Sequence, residues 1–193
     1  MVLHAVGLIG LLTDFQSLFI LLTPLHLMIT LVIVLRNFPL ITFKTIALIA
    51  AFAWLLEFIC VNTGLPFGDY QYGETLGWKI GGTPLLIAAN WIILLLSSNS
   101  IFNNFKLNIV SVSLLSATAM TSLDFFIEPV AIQLDFWSWS NPQVPWNNYL
   151  SWFLASFVFS LFLNSQKITR TFRSLNVLFY TQVAFFVILF LFL

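Results

Sequence analysis

Residues Leu123–Trp152 read LDFFIEPVAIQLDFWSWSNPQVPWNNYLSW. This stretch holds three of the seven acidic residues of the chain, Asp124, Glu128 and Asp135. It also holds four of the seven tryptophans, namely Trp137, Trp139, Trp146 and Trp152. Acids are scarce in this sequence, and here they stand beside indole rings at the end of a long apolar run. The stretch therefore predicts a polar, aromatic-lined segment at one end of an apolar helix.

The composition places the chain in a membrane. Of its 193 residues, 60% are hydrophobic and only 7% are charged, and the mean hydropathy is +1.00. A soluble domain carries about 25% charged residues, so this chain cannot coat a globule in water. The apolar residues form continuous runs, whereas a transmembrane β-barrel shows short segments of alternating polarity. We therefore predict an all-α fold, a polytopic transmembrane helical bundle that forms a single integral membrane domain over residues 1–193.

Charge and cysteine content exclude several classes of function. The net charge is zero, so nothing points to a nucleic-acid partner. Cys60 is the single cysteine, which excludes an intramolecular disulfide and a cysteine-cluster metal site. His4 and His26 are too far apart in sequence to form a local metal pair, and haem ligation by the two has no support. The first residues lack a basic flank and a small-residue cleavage site, so we expect no cleavable signal peptide.

The apolar runs predict six to seven spans, because a crossing needs about 20 apolar residues. The first run, Met1–Leu12, is short for a span. Pro129 disfavours a helical conformation at Glu128, so we expect the fifth long helix to end there. Two long, aromatic-rich segments, Asn62–Gly82 and the one after Leu123, are expected between helices on the outer side. The remaining predicted spans are Ser17–Leu35, Ile46–Val61, Thr83–Leu96, Leu107–Leu123, Asn148–Leu163 and Leu175–Leu193.

Basic residues indicate the orientation, since they concentrate in cytoplasmic loops. Six of the seven lie in alternate turns, and only Lys79 falls on the other side. We therefore expect the N-terminus in the cytoplasm if Met1–Leu12 spans, the C-terminus outside, and an integral protein of a bacterial cytoplasmic membrane. The six basic residues are Arg36, Lys44, Lys106, Lys167, Arg170 and Arg173.

Spacings in the two halves suggest a parallel internal repeat, although four coincidences in an aromatic-rich chain could also arise by chance. Parallel repeats are known in membrane proteins. In each half an acid precedes two aromatic residues by 13 and 15 positions, and a proline precedes a tryptophan by seven. The members are Glu57 with Tyr70 and Tyr72, Asp124 with Trp137 and Trp139, Pro84 with Trp91, and Pro145 with Trp152.

Three acids are candidates for chemistry because carboxyl groups near a bilayer are costly and usually face a polar interior. Glu57 has apolar neighbours on both sides, so it is either a helix-end acid that reaches the headgroups or a buried proton donor. Asp124 and Glu128 are four residues apart and lie on one helix face if the helix continues that far. They form either a solvated turn or a pair that supplies an acid and a base together. Solvated loop acids are the better interpretation of Asp69, Glu74 and Asp135.

Aromatic and amide side chains near these acids are candidate substrate-binding residues. Tryptophan and tyrosine also form ordinary interfacial belts in membranes. Their crowding beside the acids would suit a site where positive charge develops, or a flat apolar ligand. Amides in apolar helices need partners there, whether in a site or between helices. The candidates are Tyr70, Tyr72, Trp78, Asn90, Trp91, Trp137, Trp139, Trp146 and Asn148.

Glu57 and two long motifs resemble the membrane carotenoid hydratase family, which includes bacterial γ-carotene-type and archaeal bisanhydrobacterioruberin-type enzymes. The motifs are TGLPFGDYQYGETLGWKIGGTPLLIAANW (Thr63–Trp91) and DFFIEPVAIQLDFWSWSNPQVPWNNYLSW (Asp124–Trp152). The run TPLHLMITLVIVL (Thr23–Leu35) is similar to an early helix of the family. The resemblance covers most of the chain from about Asp14 onward.

The resemblance implies that water is added to the terminal double bond of an acyclic end of an acyclic or monocyclic carotenoid, which gives a tertiary alcohol. The residues suit this chemistry: a neutral carboxyl protonates the alkene, aromatic faces stabilise the tertiary cation, and a second carboxylate polarises water. No metal or redox cofactor is expected. The hypothesis makes Asp124 and Glu128 the acid/base pair and lets Glu57 complete the site, with Glu57 as donor the open alternative.

Two rival interpretations remain open. A non-enzymatic carrier or assembly subunit for an isoprenoid lipid would use the aromatic groove for binding only. A prenyl-transferring or cyclising enzyme would want aspartate-rich clusters for magnesium and diphosphate, and Asp124 with Glu128 is a poor version of such a cluster. A carrier would bind carotenoid without changing its mass.

Overall fold

The computed structural model describes residues 1–168 and 171–193, and the chain is 73% helical. This confirms the helical class predicted from composition. Eight α-helices follow one another along the described residues. They are α1 (Val2–Leu11), α2 (Gln16–Leu21), α3 (Thr23–Leu35), α4 (Phe43–Thr63), α5 (Ile87–Phe102), α6 (Ile109–Gln133), α7 (Trp146–Ser165) and α8 (Arg173–Phe192).

Three helices are long and apolar enough to cross a membrane, namely Leu40–Thr63 (α4 with its preceding 3₁₀ turn), Ile109–Gln133 and Arg173–Phe192. Two further apolar helices, Val2–Leu11 and Thr23–Leu35, are shorter. At 1.5 Å per residue, ten residues of α1 reach about 15 Å, half of the roughly 30 Å hydrocarbon core. The short first run is thus confirmed as a short helix, and the total of six to seven spans stays a prediction.

Two predicted helix boundaries are wrong, and a proline lies at each of them. The run Ser17–Leu35 is two helices, because α2 ends at Leu21 and Pro24 lies in the first turn of α3, where its missing N–H costs no hydrogen bond. Helix α6 does not end at Glu128; it continues through Pro129 to Gln133. Proline there removes only one helical hydrogen bond, and the packing of α6 along α7 outweighs that loss.

The outer segments contain short strands that the sequence analysis did not predict. Strand β1 (Tyr70–Tyr72) pairs antiparallel with β4 (Trp137–Trp139), with Gln71 opposite Ser138 at the centre. A second small ladder joins β2 (Lys79–Ile80) to β3 (Thr83–Pro84). The β1–β4 ladder ties the loop after α4 to the loop after α6, so it brings the aromatic residues of both halves together.

Gly73 allows this close approach of the two loops. Its N–H donates to the Phe136 carbonyl at 3.0 Å. A Cβ at Gly73 would collide with the Asp135 carbonyl oxygen. The Asp135 carbonyl belongs to the backbone, which cannot move aside as a flexible side chain can. A side chain at position 73 would therefore push the loop after α4 away from the loop after α6.

Helices α5 and α7 face each other through residues that are 61 positions apart. Trp91 stacks on Trp152 with ring centroids 4.0 Å apart and planes at 12°. Further along, Asn99 Nδ2 donates to Ser160 Oγ at 2.9 Å, and Asn103 Nδ2, in the 3₁₀ turn that follows α5, donates to Asn164 Oδ1 at 3.4 Å. The two residues of each contact are 61 positions apart in all three cases. A parallel repeat in which a twofold axis relates α5 to α7 would give such a constant separation.

The basic turns lie together at one end of the bundle. Ser174 Oγ donates to Asn37 Oδ1 at 2.8 Å, and Phe38 packs edge-on against Phe172. The carboxyl-rich loops lie at the other end, where Lys79 pairs with the exposed Glu74. Of the basic residues used to predict orientation, Arg170 lies outside the described residues.

Candidate functional site

Glu57 is buried on α4, with 2% of its surface exposed. The hydroxyls of Tyr70 and Tyr72 both donate to Glu57 Oε2, the latter at 2.8 Å. Trp91 Nε1 donates to Glu57 Oε1 at 2.8 Å. Both carboxyl oxygens therefore have donors, two from strand β1 and one from α5. The residues that follow Glu57 by 13 and 15 positions, which suggested an internal repeat, are its direct hydrogen-bond donors.

Tyr70 and Tyr72 are held in their neutral form. Burial, reinforced by the nearby charge of Glu57, raises the pKa of both phenols well above the ordinary value. A neutral phenol can donate to a carboxylate, whereas a phenolate cannot. The two tyrosines thus remain hydrogen-bond donors toward Glu57 over the whole neutral pH range.

Glu128 lies on α6 and accepts three hydrogen bonds. Trp137 Nε1 and Trp139 Nε1 both donate to its Oε2, at 2.9 and 2.8 Å. Asn148 Nδ2 donates to its Oε1 at 3.0 Å. Indole N–H and amide NH₂ groups are donors only, so every group around Glu128 matches an ionised carboxylate. In the second half of the suggested repeat, the two tryptophans of strand β4 therefore bind Glu128, which lies one helical turn after Asp124.

Asp124 has a different environment, although it is fully buried one helical turn from Glu128. Its Oδ2 accepts from Asn148 Nδ2 at 3.1 Å. Among the described residues, its Oδ1 is buried and has no hydrogen-bond partner. A buried ionised oxygen without a donor is costly, whereas a protonated carboxyl oxygen needs none.

The three carboxyl groups form one cluster. Asp124 interacts electrostatically with Glu128 and with Glu57, and Glu128 also interacts with Glu57. Within the described chain the one ion pair joins Lys79 and Glu74, so no cation neutralises the cluster. The three carboxyl groups are not arranged to hold a metal ion, and no other His, Cys, Asp or Glu group of three or more in the described chain is either. Hydrogen-bond donors, rather than counter-ions, stabilise these acids.

The remaining predicted residues lie either at the exposed loop end or in the wall of a cavity. Trp78 and Trp146 are 88% and 78% exposed, and neither has a hydrogen bond to the carboxyl cluster. This exposure at the loop end suits interfacial anchors. Asp69, Glu74 and Asp135 are exposed, as expected of loop acids. Asn90 lies beside Trp91 and faces the cavity described next.

An apolar cavity of about 310 Å³ lies between α1, α3, α5, α6 and α8. Trp137 and Asn90 form part of its wall, and so does Ile127 next to Glu128. The carboxyl groups do not line this cavity directly, but Trp137, whose indole N–H donates to Glu128, does. Five lining side chains are also 37–54% exposed on the outer surface of the bundle, which opens the cavity toward lipid: Leu3, Val6, Leu22, Leu25 and Ile29.

Sequence reasoning missed three polar residues that line this cavity. His26 Nε2 lies 3.4 Å from His4 Nδ1, and Gln182 lines the same space. The two histidines are far apart in sequence, but α1 packs beside α3 in the bundle. Their polarity within apolar helices is the available signal, but separation along the sequence does not reveal that the two helices bring the rings together.

Fold and site define a helical membrane protein with a buried cluster of three acids under an aromatic ladder. The chain belongs to the carotenoid biosynthesis protein family, which matches residues 15–193. A curated relative, the bisanhydrobacterioruberin hydratase of Haloarcula japonica, is 33% identical over 138 residues, or 63% of this chain. The match spans 45% of that relative, so the chain covers less than half of its length. No solved structure matches.

Proposed function

We propose that this protein hydrates the terminal double bond of an acyclic carotenoid end, with Asp124 as acid and Glu128 as base. Membership in a carotenoid biosynthesis family and similarity to a protein named as a hydratase support the reaction class. The observation that carries the assignment is the unequal hydrogen bonding of two adjacent carboxyl groups. Glu128 accepts three hydrogen bonds, whereas one oxygen of Asp124 has no hydrogen-bond partner among the described residues.

In the proposed first step, Asp124 donates its proton from Oδ1. The less substituted carbon of the terminal alkene takes the proton, and the more substituted carbon becomes a tertiary cation. Asp124 is left as a carboxylate, with Asn148 Nδ2 still donating to Oδ2. Indole faces near the cation stabilise it without forming a bond, and Trp137 and Trp139 are the nearest to Glu128.

In the proposed second step, water attacks the cation while Glu128 accepts one of its protons. The product is a tertiary alcohol, and the transfer of a proton from Glu128 back to Asp124 through solvent closes the cycle. Atoms balance with water as the one co-reactant, so the reaction needs no redox change. Asn148 serves as a positioning residue, because its single amide nitrogen donates to both acids.

Glu57 has a supporting role in this proposal. Its three donors match a carboxylate, as they do for Glu128, and the negative charge stabilises the cation across the cluster. The alternative donor role for Glu57 requires it to hold a proton although Tyr70, Tyr72 and Trp91 all point donors toward it. The hydrogen-bond pattern therefore favours Asp124 as the donor.

The experiment is a pigment analysis of a bacterial host that makes lycopene, with and without this chain. We expect the carotenoid mass to increase by one water per hydrated end, with oxygen derived from labelled water. The Asp124→Asn variant, shown to be present in the membrane, is the matched control. Unchanged pigment with the wild-type protein would contradict hydration of this substrate.

A lipid carrier is the second candidate, and the lipid-facing cavity is the observation that favours it. The cavity is apolar and the carboxyl groups do not line it directly. A carrier would hold carotenoid there without turnover. Co-purified carotenoid of unchanged mass, equally abundant with wild-type and Asp124→Asn protein, would support the carrier over the hydratase.

A further inference from the structure

We propose that His4, His26 and Gln182 form a binding site for a neutral hydroxyl group inside the lipid-facing cavity. These residues come from α1, α3 and α8, and all three line the cavity. The site is separate from the carboxyl cluster, and its existence does not depend on the hydration chemistry. The hydroxyl belongs either to water or to the end of an isoprenoid alcohol.

Gln182 has a buried acceptor with no donor beside it among the described residues. Its side chain is 5% exposed, and its Oε1 is buried without a hydrogen-bond partner among the described residues. A buried amide oxygen normally accepts a hydrogen bond, because the loss of hydration is otherwise not compensated. An O–H group in the cavity would supply the missing donor.

The histidine pair supplies the complementary group. His4 is 7% exposed, and its ring meets His26 edge-on with centroids 4.5 Å apart. One nitrogen of each ring serves the contact between them. Among the described residues the other nitrogen of each ring has no hydrogen-bond partner, so it can donate to or accept from a ligand, according to its tautomer. In this proposal one hydroxyl donates to Gln182 and accepts from an imidazole N–H.

The surroundings exclude a charged ligand. The cavity lining contains no Asp, Glu, Lys or Arg, and its other polar members are Thr23 and Asn90. An ion there would be buried among apolar groups without a counter-charge, which is expensive. A hydroxyl on an apolar chain matches both the lipid-facing opening and the small polar cluster.

The test compares geranyllinalool, a tertiary isoprenoid alcohol, with the analogue in which hydrogen replaces the hydroxyl group. Native mass spectrometry of the purified protein in detergent measures the ratio of bound alcohol to bound hydrocarbon at equal concentrations. We expect wild-type protein to prefer the alcohol about fivefold, as one hydrogen bond would give. The Gln182→Leu variant should show a ratio near one.

Matched variants separate a lost hydrogen bond from a damaged fold. Gln133→Leu is the same change at an exposed position on α6 and should keep the preference. His4→Phe keeps a ring against Phe185 and should reduce the preference, so it tests the site if Gln182→Leu does not fold. An alcohol preference that persists in both site variants would overturn the proposal.

A second measurement distinguishes bound water from a bound isoprenoid alcohol. If wild-type protein shows no alcohol preference, a high-resolution experimental structure should show an ordered water between Gln182 Oε1 and an imidazole nitrogen. The same water should be absent from Gln182→Leu. No alcohol preference together with no ordered water would overturn the proposal.

Discussion

Asn148 reaches Asp124 from α7 and gives it a single hydrogen bond, 3.1 Å long and directed to Oδ2. The other oxygen of Asp124 is buried without a partner among the described residues. The amide therefore fixes the orientation of the carboxyl group and leaves Oδ1 free. An acid that is held in this way can present a proton to an apolar substrate.

Replacement of Asp124 by asparagine should abolish the proton donor with little change in shape. We expect carotenoid hydration to fall by roughly 10²- to 10⁴-fold, the usual contribution of general acid catalysis. The measurement is hydrated product per amount of membrane protein. Asp135→Asn, at an exposed position, should keep full activity, and equal activity in both variants would remove Asp124 from the mechanism.

Trp139→Phe should remove one donor from Glu128 while an aromatic ring remains. Loss of the 2.8 Å bond from Trp139 Nε1 makes the carboxylate less well stabilised. We expect hydration to fall by roughly five- to tenfold, which corresponds to about 1 kcal/mol. Trp78→Phe, at an 88% exposed position, should have no effect. A decrease of equal size in the two variants would contradict a specific role for the Trp139 indole.

Gly73→Ala should separate the β1–β4 ladder, because the new Cβ would collide with the Asp135 carbonyl. We expect a loss of roughly 1–3 kcal/mol in stability, as overpacking causes. Thermal unfolding in detergent measures it as a lower Tm. Gln71→Ala changes an exposed residue of the same ladder and should have a smaller effect. A Tm unchanged by Gly73→Ala would show that the loops can rearrange.

Alkaline titration should distinguish Tyr70 and Tyr72 from an ordinary phenol. Their pKa is raised in the folded state, mainly by burial, so neutral phenols stabilise the fold below about pH 10. That stabilisation is lost as the pH rises through the folded-state pKa. The Tyr70→Phe/Tyr72→Phe double variant should therefore lose the tyrosinate absorbance that appears at the highest pH and keep the earlier rise. Loss of the earlier rise instead would contradict their burial.

Several features of the site followed from local sequence. Scarce acids in apolar helices are costly, so Glu57, Asp124 and Glu128 stood out as buried candidates, and all three are 2% exposed or less. The spacing from Glu57 to Tyr70 and Tyr72 suggested only an internal repeat, and the structure contains direct hydrogen bonds from both tyrosines to Glu57. The predicted end of α6 at Glu128 is wrong, because local preference at one proline is weaker than the packing of a 25-residue helix.

The sequence by itself determined the membrane class, the helical content and the identity of the acids, since hydropathy and the cost of buried charge are properties of single residues and short runs. Only the tertiary structure decided which donors each acid receives. It paired Glu128 with Trp137 and Trp139, left Asp124 Oδ1 free, and brought His4 to His26. Hydrogen bonds depend on positions within about 3 Å, and those positions arise from the packing of helices that are remote in the chain.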